Sequence, residues 1–210
     1  MCIGLDFCRA ARYISTHADL IITELESNFL AFSRMGGIVS NNMSEEDKYK
    51  PVKLEPTTAQ CNCGAVKLII SNPRLVLACH CHDCRARTGA DMALCLTSNG
   101  KDVKVEEAAE GQVVEFGKFH PDGSNKGPRV RFCKTCGTTT HYSSFSGAII
   151  QVPLLLTGLK DKVDEPFFHM WKDSAVPTSK GIFEKATVPV FDGLPTGKAM
   201  SDFMAIAKGE

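Results

Sequence analysis

Seven of the chain's ten cysteines fall into three tight groups, and that spacing restricts the fold more than any other feature of the sequence. Cys61 and Cys63 form C-x-C, Cys79, Cys81 and Cys84 form C-x-C-x-x-C, and Cys133 and Cys136 form C-x-x-C. Residues this close along a chain seldom bridge one another, because a disulfide needs a particular Cα separation and Cβ direction. They do converge readily on one metal ion. Ten cysteines in 210 residues is too sparse for a small disulfide scaffold, and high for a reducing compartment unless the thiols hold metal or react.

A strand displays alternate residues on one face, so Cys61 and Cys63 can address one ion, with Gly64 easing the turn. Cys133-Lys134-Thr135-Cys136-Gly137 reads as a zinc knuckle whose glycine follows the second ligand, where a tight turn often needs positive φ. These two pairs supply four thiolates, the full tetrahedral shell of a structural zinc, and would tie the start of the domain to a strand about 70 residues later. Cys79, Cys81 and Cys84 then remain as a three-ligand site, which keeps a position free for water or substrate. Spacing leaves a second partition open, in which Cys81 and Cys84 complete a shell with Cys61 and Cys63.

Twenty-four basic side chains balance 24 acidic ones, leaving no net charge to steer the chain toward nucleic acid or an anionic membrane; only a local basic group of Lys126, Arg129 and Arg131 runs against this. No stretch approaches the roughly 18 consecutive apolar residues of a membrane span, so a soluble protein is expected. The first residues lack the pattern of a secretory signal. Arg9 and Arg12 would suit an organelle transit segment, but Asp6 and Asp19 weigh against it, and the expected location is cytoplasmic.

Residues 1–51 read as an N-terminal helix followed by a polar linker. Ile21, Leu25, Phe29 and Phe32 recur near the helical period within residues 15–35, and Gly36-Gly37 ends the pattern. Residues 52–195 read as a β domain. Val-, Ile-, Leu- and Phe-rich runs at 65–70, 75–79, 92–97, 103–105, 113–116, 129–132 and 148–152 alternate with turn signals such as Asn72-Pro73 and Asn99-Gly100. Residues 196–210 read as a Gly-, Pro- and Ala-rich tail with little pattern and fraying ends.

Cys61-Asn62-Cys63-Gly64, then Cys79-His80-Cys81-His82-Asp83-Cys84 with Gly89 shortly after, then Phe132-Cys133-Lys134-Thr135-Cys136-Gly137, resemble the signature of the glutathione-dependent formaldehyde-activating enzyme and centromere protein V family. The resemblance covers roughly residues 57–180. It implies a mainly β, Mss4-like fold of small antiparallel sheets with two zinc sites. It also implies that Cys61, Cys63, Cys133 and Cys136 hold a structural zinc, and that Cys79, Cys81 and Cys84 hold a second, exchangeable zinc near which glutathione binds. The implied activity is that of a carbon–sulfur lyase forming or cleaving S-hydroxymethylglutathione, with glutathione and a small aldehyde as partners. The relatives of centromere protein V imply an alternative, a non-catalytic zinc-stabilised interaction module. Where family members carry a Pro-Trp pair after the segment matching Phe168-His169-Met170-Trp171, this chain has Ala175-Val176-Pro177-Thr178.

Three thiolates favour a soft fourth ligand such as the glutathione sulfur over water activation. Arg85 and Arg87 offer planar, two-pronged donors for the glutathione carboxylates, with exposed ion pairs as the plainer role. His80 and His82 alternate with the cysteines and should face away from the metal. Gly89 is expected to relieve crowding at the next strand, Cys95 to be a buried small hydrophobe, and Cys2 and Cys8 to be ordinary thiols. His141, Tyr142 and Trp171 read first as packing residues and second as walls of a cleft.

Overall fold

The structure is a computed structural model, and it describes residues 44–117 and 129–210. The helix read at 15–35, the thiols of Cys2 and Cys8, and Lys126 lie outside the described residues.

Among the described residues the chain is mainly β, arranged in two sheets. Strands β1 (Thr57–Gln60), β2 (Val66–Ile70) and β5 (Val103–Glu107) form a three-stranded antiparallel sheet in the order β1-β2-β5. The larger sheet takes β3 (Leu75–Cys79), β4 (Ala93–Asn99), β6 (Val113–Gly117), β7 (Arg129–Cys133), β8 (Thr139–Ser144), β9 (Ile149–Pro153) and β10 (Phe168–Met170). Its order is β10-β3-β4-β9-β8-β7-β6. Strand β10 lies parallel to β3 while the other neighbours are antiparallel, so this sheet is mixed and wide, which corrects the expectation of small antiparallel sheets alone.

All five residues of β3 are buried, as a strand covered on both faces requires, and its sequence Leu-Val-Leu-Ala-Cys is accordingly apolar throughout. Strands β1, β8 and β10 were not expected from composition. Thr139–Ser144 is rich in hydroxyls, yet its interior is buried, and the Thr140 hydroxyl is satisfied by donating 3.1 Å to the Arg131 carbonyl. Strand β10 is only three residues long and is held on its far side by main-chain bonds from His169 to Pro189 and from Phe191 to His169.

Two segments outside the expected β domain belong to the core. Helix α1 (Glu45–Lys48) delivers Tyr49, which is buried, lies 6.1 Å ring to ring from Phe168, and donates its hydroxyl to Asp202 at 3.0 Å. Residues 196–210, expected to lack pattern, contain α4 (Gly197–Lys208), and this is a correction. Ala199, Phe203 and Ile206 fall at i, i+4 and i+7, one apolar stripe on a helix. Ala199 and Ile206 are buried, Phe203 meets Phe145 edge-on at 6.5 Å, and Asn99 Nδ2 donates 2.5 Å to the Ile206 carbonyl, fixing α4 on the end of β4. Among the described residues no helix is long and apolar enough to cross a membrane.

Candidate metal centres

The first thiol cluster sits where the two sheets meet. After β1 the chain reverses in one turn, with Gly64 N–H donating to the Cys61 carbonyl and Cys61 N–H to the Val66 carbonyl, both at 3.0 Å. Gly64 makes that reversal at φ +79, a value side-chain-bearing residues seldom adopt. On the large sheet, the turn after β7 brings Cys133 and Cys136 together, with Gly137 at φ +70 donating 2.9 Å to the Cys133 carbonyl. Cys61 and Cys63 sulfurs are 3.6 Å apart, as are those of Cys63 and Cys133, and all four lie within 4.8 Å of one another. Donors ring the cluster. Val66 N–H reaches Cys61 Sγ at 3.2 Å, Gln112 Nε2 reaches Cys133 Sγ at 3.3 Å, and the Thr138 hydroxyl sits 3.2 Å from Cys136 Sγ. The Thr138 hydroxyl, and then its main chain, pull the Cys136 thiol down to about 5.

The second cluster belongs to the large sheet alone. Cys79 is the last residue of β3, Cys81 caps the helix α2 (His82–Thr88), and Cys84 lies in that helix's first turn. As a helix cap, Cys81 accepts the Cys84 N–H at 3.4 Å. The three sulfurs lie within 4.8 Å of one another, and among the described residues no fourth His, Cys, Asp or Glu atom joins them at that range. Hydrogen bonds from the Cys79 and Cys84 thiols pull Cys81 down to about 3, while the Cys81 and Cys84 side chains hold Cys79 well above the usual thiol range. The trio thus shares negative charge that a cation would neutralise.

Both clusters suit a metal ion. With zinc–sulfur bonds of about 2.3 Å, the edges of a tetrahedral tetrathiolate come to about 3.8 Å, close to the two 3.6 Å edges of the first cluster. The second offers three soft donors, which fit the same class of metal with a position to spare.

The residues around the second cluster divide between the two faces of the sheet. His80 turns to the opposite face, fully buried, with Nε2 3.0 Å from His169 Nδ1 and its ring 4.7 Å from that of Phe183 in helix α3 (Lys180–Lys185). Burial, and then His169, push His80 down to about 4. His82 is exposed, and Asp83 stands in the first turn of α2, where free N–H groups favour a carboxylate. Arg85 is turned inward, donating from Nε to the His80 carbonyl at 3.1 Å and from a terminal nitrogen to the Ser174 carbonyl at 2.7 Å. It binds the cysteine loop to the chain beyond β10. Arg87 is half-buried and has no hydrogen-bond or ion-pair partner among the described residues. Gly89 caps α2 at φ +67 with open space where a Cβ would stand, so it supplies a left-handed helix end rather than relief of crowding. Burial pushes the Cys95 thiol up to about 12, in keeping with a small hydrophobe. Trp171 follows β10 at φ +63, an uncommon conformation for an aromatic residue, anchored by its N–H bond to the Gly193 carbonyl at 2.8 Å. The basic group is not free either: Glu115 pairs with both Arg129 and Arg131.

A mainly β chain with one four-thiol and one three-thiol cluster is a member of the cysteine-rich, metal-suited class of small folds. Residues 56–174, more than half of the 210, match the family described as glutathione-dependent formaldehyde-activating enzyme, and the chain belongs to that family. Among solved structures, that of a Rhodobacter sphaeroides protein is similar at 25% identity over 47% of this chain and 85% of that one, with a TM-score of 0.36. No curated protein matches.

Proposed function

We propose that the chain is a zinc-dependent carbon–sulfur lyase that forms or cleaves the C–S bond of S-hydroxymethylglutathione, at the level of detail beyond the family's glutathione-dependent formaldehyde activation. One observation carries the reading: Cys79, Cys81 and Cys84 stand within ligand distance of one another, with no fourth ligand-type atom among the described residues at that range. Four protein ligands close a zinc site, whereas three leave room for a reactant. On this reading Cys61, Cys63, Cys133 and Cys136 hold a structural ion, and Cys79, Cys81 and Cys84 an exchangeable one. When bound there, zinc supplies Lewis-acid polarisation of an aldehyde oxygen and a coordination position for a soft sulfur.

The chemistry balances without a redox partner. In the forming direction the glutathione thiolate makes a bond to the formaldehyde carbon, the carbonyl π pair passes to oxygen, and that oxygen takes up a proton; cleavage is the reverse. The chain's own contribution is to hold and orient. On this reading Arg87, in the last turn of α2 and unpaired among the described residues, takes a glutathione carboxylate, and Arg85, bonded to the His80 and Ser174 carbonyls, supports the loop rather than the ligand. A reducing cytoplasm, where thiolates and glutathione both persist, is the compartment this chemistry fits.

The test is exchange spectroscopy of isotope-labelled formaldehyde with glutathione, with and without the zinc-loaded protein. Faster interconversion with the protein, lost in Cys84→Ser, is expected. An unchanged exchange rate with protein at the concentration of glutathione would reject the enzyme and leave the zinc-stabilised interaction module.

A further inference from the structure

Solvent access to the two thiol clusters runs opposite to their ligand counts. The three-thiol cluster lacks a fourth ligand, yet its sulfurs are sheltered: Cys79 and Cys81 are buried and Cys84 is half-buried. The four-thiol seam has a full ligand set, yet half of it faces outward. Cys61 and Cys133 are buried, while Cys63 and Cys136 are the only exposed cysteines among the described residues.

The fold makes this split. Cys61 directly follows β1 and Cys133 is the last residue of β7, so the buried pair closes the ends of the two strands. Cys63 and Cys136 stand further out, in turns whose residues 62–64 and 134–137 are exposed throughout. The two turns come from distant segments, and they bring the exposed sulfurs within 4.8 Å of each other. A cysteine that ligates zinc does so as the thiolate, which is also the form that oxidises. Susceptibility follows thiolate character and access to solvent, and a second thiol within reach converts the first oxidation product into a disulfide.

We infer that Cys63 and Cys136 form a peroxide-reactive pair, whose oxidation to a disulfide opens the seam to loss of its zinc. The inference goes beyond the lyase reading and shares with it only the assignment of an ion to the seam. One of the two thiolates takes an oxygen from hydrogen peroxide, giving a sulfenic acid and hydroxide. The other thiolate attacks that sulfur, forms the S–S bond and expels a second hydroxide. Two electrons pass from the sulfurs to the peroxide, and two protons from solvent turn the hydroxides into water. Cys61 and Cys133 remain thiols, buried where the Val66 N–H and the Gln112 amide address their sulfurs. Two ligands are too few for a tetrahedral zinc shell, so the link between the sheets is released while the three-thiol cluster is spared. Two glutathione thiolates reverse the step by thiol exchange, leaving glutathione disulfide and a seam able to take zinc again.

The experiment treats the zinc-loaded full chain and its Cys84→Ser variant with hydrogen peroxide beside a colorimetric zinc chelator, and maps thiols by alkylation and peptide mass spectrometry. Peroxide-dependent zinc release is expected at the same rate from both proteins. The Cys63 and Cys136 thiols are expected to disappear together as one disulfide, at least about tenfold faster than those of Cys79 and Cys81. Reductant with added zinc is expected to restore both thiols and the metal. First oxidation at Cys79, Cys81 or Cys84, a bridge within either C-x-C or C-x-x-C pair of the seam, or seam thiols that outlast the loop thiols overturns the inference and leaves the lyase reading standing. If Cys84→Ser holds no zinc before peroxide is added, the assignment of an ion to the seam falls, and this inference with it.

Discussion

The two thiol clusters use the same chemistry in opposite structural positions. One joins the turn after β1 to the turn after β7, so four thiols from two sheets meet at a seam, ringed by N–H and hydroxyl donors. The other takes three thiols from one short run at the end of β3 and the start of α2, two of them buried and the third half-buried. The lesson is that sequence separation predicts role. Ligands drawn from distant segments make an ion part of the folding equilibrium, whereas ligands drawn from one local loop leave the rest of the fold able to form without it.

The largest effect expected from this contrast is on folding. Cys133→Ser removes a fully buried thiol of the seam cluster, and thermal or urea unfolding is expected to show a loss of at least about 4 kcal/mol, or no cooperative transition. A loss of less than about 1 kcal/mol would show that the seam cluster holds nothing together.

Acid should sharpen the same division. Burial, and then the Arg131 cation, push His141 of β8 from 6.5 down to about 4, so the fold favours its neutral form and the unfolded chain binds the proton first. That contribution is present above pH 6.5 and fades as the pH falls toward 4, by up to about 3 kcal/mol. Urea unfolding of His141→Gln at several pH values is expected to decline less steeply over this window than the wild type; parallel curves would remove His141 from the account.

Cys84→Ser comes next. It should lose one bound zinc by elemental analysis but less than about 2 kcal/mol of stability, because β3 and β4 are fixed by their own packing. A loss matching that of Cys133→Ser would erase the distinction between the clusters. Gly89→Ala is the smallest: the Cβ has space, so only the left-handed backbone is opposed, at about 1 kcal/mol, with α2 and the second cluster affected before the seam. Circular dichroism and zinc content measured together would show whether the order is reversed.

Much of this contrast was legible in the sequence because ligand spacing is a local property. The grouping of seven cysteines announced both clusters, and the left-handed turns at Gly64 and Gly137 followed from glycines placed beside their ligands. Strands rich in Val, Ile and Leu were legible for the same reason. Strand β8 was not, since Thr139, Thr140, Ser143 and Ser144 carry no Val-, Ile- or Leu-rich strand pattern and are settled only when the sheet supplies partners such as the Arg131 carbonyl. Helix α4 was missed because Gly197, Lys198 and Ser201 interrupt a stripe that only packing against β4 makes visible. The inward turn of Arg85 depends on the Ser174 carbonyl, brought up from 89 residues away, which no local pattern encodes.

The most direct measurement is the release of zinc to a colorimetric chelator, followed in time with and without glutathione. Two phases of equal amplitude are expected, with glutathione changing the rate of the fast one alone and Cys84→Ser abolishing it. A single phase, or two phases to which glutathione makes no difference, would contradict the claim that one cluster is closed and the other open to a ligand.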